Sequence, residues 1–279
     1  MREAHRGAQG LRATIFWLVI VAILLFFLFP PIWLFMTSIK TFRDAFAIPP
    51  KLLFTPTIEN YLNVFATKQI QAFLLNSIII SASSTAIALL IGIPAAYALA
   101  RFEFAGKKNL SFFILSVRIA PPIMTLFPLY ILFNRLNLIG TRLSVIVMYV
   151  VFNLPLAVWI MQIFFRDISG ELRDAALIDG CSELRVLLRV MLPLVRSGLS
   201  ATSILCVIQA WNEYLLALVL TSQKSQTMPV AITSFMTYSG IEWGPISAAG
   251  VVVMVPMIAF GLMVQKNLVR GLTLGAVKG

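Results

Sequence analysis

Two charged side chains interrupt otherwise uncharged apolar stretches of this chain: Arg118 and Glu213. An ionised group inside a bilayer is costly and is by default a functional candidate. Arg118 stands eight residues into a stretch beginning at 110, roughly 12 Å along a helix at 1.5 Å per residue. Three roles are open to it: snorkelling toward water, pairing with an acid on another helix, or meeting an anionic solute. Glu213 lies beside Trp211, Asn212 and Tyr214, with Gln209 one helical turn earlier. Amides, a carboxylate and aromatic faces suit a path for a hydroxyl-rich solute. The same groups also suit interhelical hydrogen bonds with another subunit. No catalytic set accompanies them. The lone histidine, His5, stands near the start of the chain, so a histidine metal site or a Ser-His relay is not expected. Cys181 and Cys206 make no CxxC or metal spacing and read as inert small residues. HExxH, GxSxG and GxxxxGK[ST] are all absent, so no hydrolase signature and no phosphate-cradling loop occur.

A second group of residues lies in segment 166–197. It holds five basic and five acidic residues and is amphipathic. Ser169 is placed to cap a helix over about 170–178, with Glu171 in its first turn, where an acid complements the helix dipole. Leu172, Ala175 and Ala176 follow helical spacing and predict one apolar face. Gly180 can end this helix in a left-handed conformation. Ser182 then caps a second helix carrying Leu184, Leu187, Leu188 and Met191, which Pro193 closes. The neutral charge of the segment is poor for anionic lipid. The small Ala175 and Ala176 favour close approach to another protein.

The elements that must position these residues follow from hydropathy. Of 279 residues, 59% are hydrophobic and 12% are charged, and mean hydropathy is +0.92. A soluble domain carries about 25% charged residues. Disorder would need low hydrophobicity. The composition therefore reads as an integral membrane protein. Arg12 and Lys40 enclose 27 uncharged residues, and Lys68 and Arg101 enclose 32. Four further stretches exceed the roughly 20 residues that a bilayer core requires. The expected fold is all-α with six transmembrane helices at 14–36, 72–100, 110–133, 143–165, 198–220 and 246–264. The second is long enough to tilt or to begin as an interfacial helix. The first is too long for the apolar part of a signal peptide, and no A-x-A site follows it. Prolines at 30–31, 94, 121–122, 128, 155 and 256 punctuate these helices and can kink them.

Charge sets the orientation. Segments 1–13, 101–109, 166–197 and 265–279 carry 14 Lys and Arg, and the opposite segments carry 7 over the same total length. The positive-inside rule places both termini and the 166–197 loop in the cytoplasm. It also explains the net charge of +11 without nucleic acid. Trp17 and Trp159 then fall near inner helix ends, and Trp33 and Trp243 near outer ones.

The stretch Asp174-Ala175-Ala176, Asp179-Gly180, nine residues and then Val190-Met191-Leu192-Pro193 resembles the EAA motif. That motif marks permease subunits of binding-protein-dependent ABC importers. Asp174 stands where the family usually has Glu, which keeps the charge. Residues 93–106, Trp211-Asn212-Glu213 and 271–279 also resemble the carbohydrate-importer branch, in particular its six-helix, smaller maltose-transporter type. The resemblance implies a tail at 1–13, a permease domain at 14–264 with a coupling loop at 166–197, and a tail at 265–279. It further implies that Asp174, Ala175, Ala176, Asp179 and Gly180, with Glu171, Leu192 and Pro193 around them, seat the loop in a cleft of a separate ATPase subunit. Lys278 and Gly279 resemble a tail that reaches toward that ATPase.

The assembly so implied holds a second permease, two ATPase subunits carrying ATP and Mg, and an extracytoplasmic solute-binding protein in a prokaryotic cell membrane. This chain itself would bind no cofactor and hydrolyse nothing. It would import a sugar, oligosaccharide or related polyol, with Arg118, Gln209, Trp211, Asn212 and Glu213 as candidate path residues. An ion-coupled secondary transporter is the alternative, but only Arg118 and Glu213 are available for an ion site at the midplane. A membrane-bound enzyme lacks any convergent catalytic set.

Overall fold

The computed structural model describes residues 2–66, 69–119, 121–237 and 240–273. In chain order these form α1 (Arg2–Ser38), α2 (Phe42–Ala45), α3 (Glu59–Ala66), α4 (Gln69–Arg101), α5 (Lys107–Ile119), α6 (Pro122–Arg135) and α7 (Arg142–Asp167). There follow α8 (Gly170–Ile178), α9 (Glu183–Val186), a π-turn at Leu187–Met191, α10 (Leu192–Leu194), α11 (Arg196–Asn212), α12 (Leu215–Leu220) and α13 (Met228–Ile232). A pair of two-residue antiparallel strands, β1 (Met236–Thr237) and β2 (Gly240–Ile241), precedes α14 (Trp243–Thr273). Apart from that pair the described residues are helical or irregular, so the all-α expectation stands.

Among the described residues four helices are long and apolar enough to cross a membrane: Thr14–Ser38 of α1, α4, α7 and Trp243–Gln265 of α14. Two bent pairs raise the number to six if each is one span: α5 with α6 at 92°, and Glu183–Leu194 with α11 at 84°. The expected third span, 110–133, is thus not one helix. Pro121 is extended, with ψ 131, and Pro122 starts α6. Proline removes the helix donor at its own position and disfavours helical geometry before it. The expected fifth span, 198–220, is also broken, because Glu213 leaves the helix with ψ 125. At its ends the chain is more helical than expected: α1 begins at Arg2, ahead of 14, and α14 continues to Thr273, past 264.

The chain divides into two compact units. The first comprises residues 1–68 and 234–254. Gly250 of α14 approaches Leu34 of α1, where a Cβ would lie 3.1 Å from Leu34 Cδ2. Asn60 Nδ2 donates to the Ser38 and Lys40 carbonyls at 2.9 and 2.8 Å, fastening α3 to the end of α1.

The second unit comprises residues 69–233 and 255–279. Its centre is the α4–α7 pair, with α11 packed on both. Small residues permit the approach: a Cβ on Gly92 would sit 3.1 Å from Ala157 Cβ, and one on Gly198 would overlap the Phe164 ring. Buried amides join these helices, as expected where lipid gives apolar surfaces no preference for each other. Gln162 Nε2 donates to Leu99 O at 3.2 Å, and Asn153 Nδ2 donates to Cys206 O at 3.2 Å. Asn76 Nδ2 donates to Lys224 O and Gln226 O, and Arg142 Nε donates back to Asn76 Oδ1 at 2.7 Å. One apolar cluster gathers Tyr97, Leu99, Met161, Phe165, Ala176, Val186 and Met191. Another gathers Ile80, Phe133, Met148, Tyr149, Leu216 and Leu220.

Candidate functional site

The 166–197 loop folds as a helix, a turn and a second helix. Ser169 caps α8, its hydroxyl accepting from Glu171 N at 3.3 Å. The helix ends at Asp179, and Gly180 takes φ +81, the left-handed geometry that favours glycine. A Cβ on Gly180 would meet nothing within 4 Å, so the requirement there is conformational and not steric. Ser182 stands at the start of α9 but makes no side-chain capping bond, contrary to expectation. Pro193 closes the second helix within one residue, as expected: Leu194 is its last helical residue, and the chain then bends by 84° into α11. A π-turn at Leu187–Met191 lies just before Pro193.

The predicted apolar face is divided. Ala176 is buried, with Val186, Leu187 and Met191 in place of the full set expected. Leu172, Ala175, Ile178, Leu184 and Leu188 are exposed, with Ile178 at 87%. Asp174, Asp179, Gly180 and Glu171 are exposed beside them. Leu192 is half-buried and Pro193 is exposed. The loop thus holds on to its own unit through one set of residues and presents a mixed apolar and acidic surface with another.

What holds it is a polar clamp that sequence spacing could not reveal. Arg173 of α8 pairs with Glu183 of α9, Nη2 to Oε1 and Nε to Oε2, and bridges the Gly180 turn. Tyr97 of α4 donates its hydroxyl to Glu183 Oε2 at 2.8 Å. The Arg173 guanidinium lies 5.2 Å from the Phe102 ring centroid, a cation–π contact. The Glu183 carboxylate pushes the Arg173 pKa above its already high value, since it favours the charged guanidinium. Arg101, the last residue of α4, donates Nη2 to the carbonyls of Phe165 and Ile168, both at 2.6 Å. It thereby satisfies carbonyls at the end of α7, next to the loop. Nothing in the sequence analysis singles out Arg101, Arg173 or Tyr97 as contacts of the loop, although Tyr97 and Arg101 lie in the stretch 93–106.

The second candidate group is partly assembled. Arg118, Gln209 and Glu213 line one cavity of about 210 Å³, with Tyr149, Asn153 and Phe152. Trp211 lies elsewhere: it is buried, its Nε1 has no acceptor, and it lines an apolar cavity with Ile78, Val207 and Phe260. Asn212 is exposed and returns its amide to Ile208 O at 2.9 Å. Gln209 and Glu213 stand four positions apart and line the same cavity, whereas Trp211 stands two positions from each, which on a helix turns it about 200° away. Arg118 is exposed and forms no ion pair among the described residues.

Glu213 has a structural task at that break. Its Oε1 and Oε2 accept from Leu216 N at 2.9 and 3.1 Å, and Oε2 also accepts from Ala217 N at 3.2 Å. The carboxylate caps α12, satisfying donors that lipid cannot. The Glu213 carbonyl accepts from the Tyr149 hydroxyl at 3.2 Å. Cys181 is half-buried and Cys206 buried, both free thiols. Lys278 and Gly279 lie outside the described residues.

Residues 88–274 match a family described as "Binding-protein-dependent transport system inner membrane component". The chain is 38% identical over 278 residues to the trehalose transport system permease protein SugB of Mycobacterium tuberculosis, covering 97% of this chain and 100% of that protein. It is 36% identical over 256 residues to the trehalose/maltose transport system permease protein MalG of Thermococcus litoralis, covering 90% and 92%. A solved bacterial ABC transporter involved in import of the acidic polysaccharide alginate superposes with a TM-score of 0.78 over 94% of this chain and 98% of that one, at 21% identity.

Proposed function

Because the chain belongs to the family of binding-protein-dependent transport system inner membrane components, we propose that it is one of two permeases in an ATP-driven importer of a sugar, oligosaccharide or related polyol. Membership of that family makes it a multi-pass membrane transport component and not an enzyme, and sets aside the ion-coupled alternative. The named substrates of SugB and MalG support the sugar reading. ATP and Mg belong to two separate ATPase subunits, and an extracytoplasmic binding protein delivers the solute. Both termini face the cytoplasm, and the two bent helix pairs each count as one span of a six-span permease in a prokaryotic cell membrane.

The exposed α8–α9 surface, fixed by the Arg173–Glu183–Tyr97 clamp, carries the coupling proposal. Docking of an ATPase on Leu172, Ala175, Ile178 and Asp179 would move α8, and the clamp passes that displacement to α4. ATP then favours the outward-facing arrangement to the extent that closed ATPases bind it better. The cavity of Arg118, Gln209 and Glu213 supplies polar lining for half of the path. The test is purification of the tagged chain from its native host in mild detergent, followed by reconstitution. Co-purification of a second permease and an ATPase, with uptake that follows ATP and ignores ion gradients, is expected. A lone, well-folded, ATP-inert chain would overturn the reading.

A further inference from the structure

The first unit holds a lysine whose side chain is almost wholly covered by the protein and makes no hydrogen bond among the described residues. Lys40 is 2% exposed. Its Nζ lies 4.9 Å from the Trp33 ring centroid and 5.1 Å from that of Phe54. Ring faces attract an ammonium, yet its three N–H donors find no acceptor among the described residues. Lys40 lines a cavity of about 490 Å³. The wall changes character along α1: Phe29, Pro30 and Leu34 come from its apolar stretch, and Thr37 from its end.

The surrounding structure is built to hold this arrangement. Asn60 grips the Lys40 carbonyl at 2.8 Å. Gly244 lies so close to Asn60 that any Cβ would overlap its amide, and this brings the adjacent Trp243 to the cavity wall. Asp44 also lines the cavity and is neutralised by Lys51 at 2.6 Å, so these three charges sum to one positive.

We propose that this cavity binds a phospholipid, its phosphate on Lys40 and its first acyl carbons along Phe29, Pro30 and Leu34. A phosphate supplies acceptor oxygens to an ammonium that has no hydrogen bond among the described residues, and it matches the net charge. The apolar half needs a tail, which neither a free anion nor a sugar brings. Two tryptophans at the ends of membrane helices place the cavity at headgroup level.

The experiment counts phospholipids held by the purified, assembled transporter in native mass spectrometry after incubation with phosphatidylglycerol vesicles. Wild type, Lys40→Arg and Arg43→Gln should retain one more lipid per copy of this chain than Lys40→Gln; Arg43 is exposed, carries the same charge and does not line the cavity. Equal retention in Lys40→Gln, or displacement of that lipid by millimolar inorganic phosphate, would overturn the proposal. Because Lys40→Gln could fail to assemble, a photo-crosslinking residue at position 243 of the otherwise unaltered chain gives a second measurement. Crosslinks to phospholipid support the site, and crosslinks to the second permease in their place sink it.

Discussion

The Tyr97 hydroxyl donates to Glu183 Oε2 at 2.8 Å, joining residues 86 positions apart. Tyr97 is 3% exposed and belongs to the core cluster that also contains Ala176 and Val186. The bond therefore ties the loop that should meet the ATPase to the interior of the α4–α7 pair. Arg173 adds a second tie from the same carboxylate to Phe102, just past α4. Together these contacts bridge the Gly180 turn and join α8, α9 and the end of α4.

Tyr97→Phe removes the hydroxyl and keeps the ring packing. A hydrogen bond to a partly solvated carboxylate contributes on the order of 1 kcal/mol, so the transporter should fold and assemble. The expected outcome is ATP hydrolysis near the wild-type rate with several-fold lower uptake per ATP. Arg173→Lys should act the same way, because lysine reproduces neither the paired contact nor the stacked one. An unchanged ratio of uptake to hydrolysis in both variants would remove the clamp from the coupling route.

Gly180→Val isolates backbone conformation from packing. Nothing lies within 4 Å of the added Cβ, so the cost is the positive φ itself, about 1–2 kcal/mol for an L residue. Insertion and stability in the membrane should survive, and transport should uncouple from hydrolysis as the turn reorganises. Gly180→Asn, which tolerates this region better, should retain most uptake. Normal uptake by Gly180→Val would show that the turn does not set the docking geometry.

Gly198→Leu tests a different requirement. Here the space is already filled, since even a Cβ overlaps the Phe164 ring, and α11 packs on α7 at this point. Overpacking typically costs about 1–3 kcal/mol. The thermal midpoint of the purified complex should fall, and Phe164→Ala in the same chain should recover much of the loss. No shift in either variant would mean that the helices separate freely there.

How much of this was legible beforehand depends on the range of the interaction. The helical loop at 166–197, its Ser169 cap and its glycine turn follow from neighbours in sequence and are where they were expected. Apolar stretches placed α4 and α7 within a few residues. What failed involved competition that hydropathy does not register. Pro121–Pro122 and Glu213 lie inside stretches apolar enough to span, but local backbone chemistry breaks the helix at both. Trp211 and Glu213 were grouped by adjacency, but residues two positions apart turn to different sides of a helix, and the two line different cavities. The Tyr97–Glu183 bond spans 86 positions, which no local pattern encodes.

Glu213 now carries two readings that a pair of variants separates. As a cap, its carboxylate satisfies the Leu216 and Ala217 N–H groups. As a cavity wall, it stands with Arg118 and Gln209. Glu213→Ala strips the acceptors and leaves buried donors open, at about 1–3 kcal/mol, so the complex should lose thermal stability. Glu213→Gln keeps one acceptor and gives up the charge at a helix start, so stability should fall less. Gln209 makes no capping bond among the described residues, and Gln209→Ala should leave stability unchanged. If the cavity belongs to the path, Gln209→Ala and Glu213→Gln should both raise the solute concentration needed for half-maximal uptake. Should only Glu213→Ala have an effect, and only on stability, the carboxylate is a helix cap and nothing more, and the path runs past other residues.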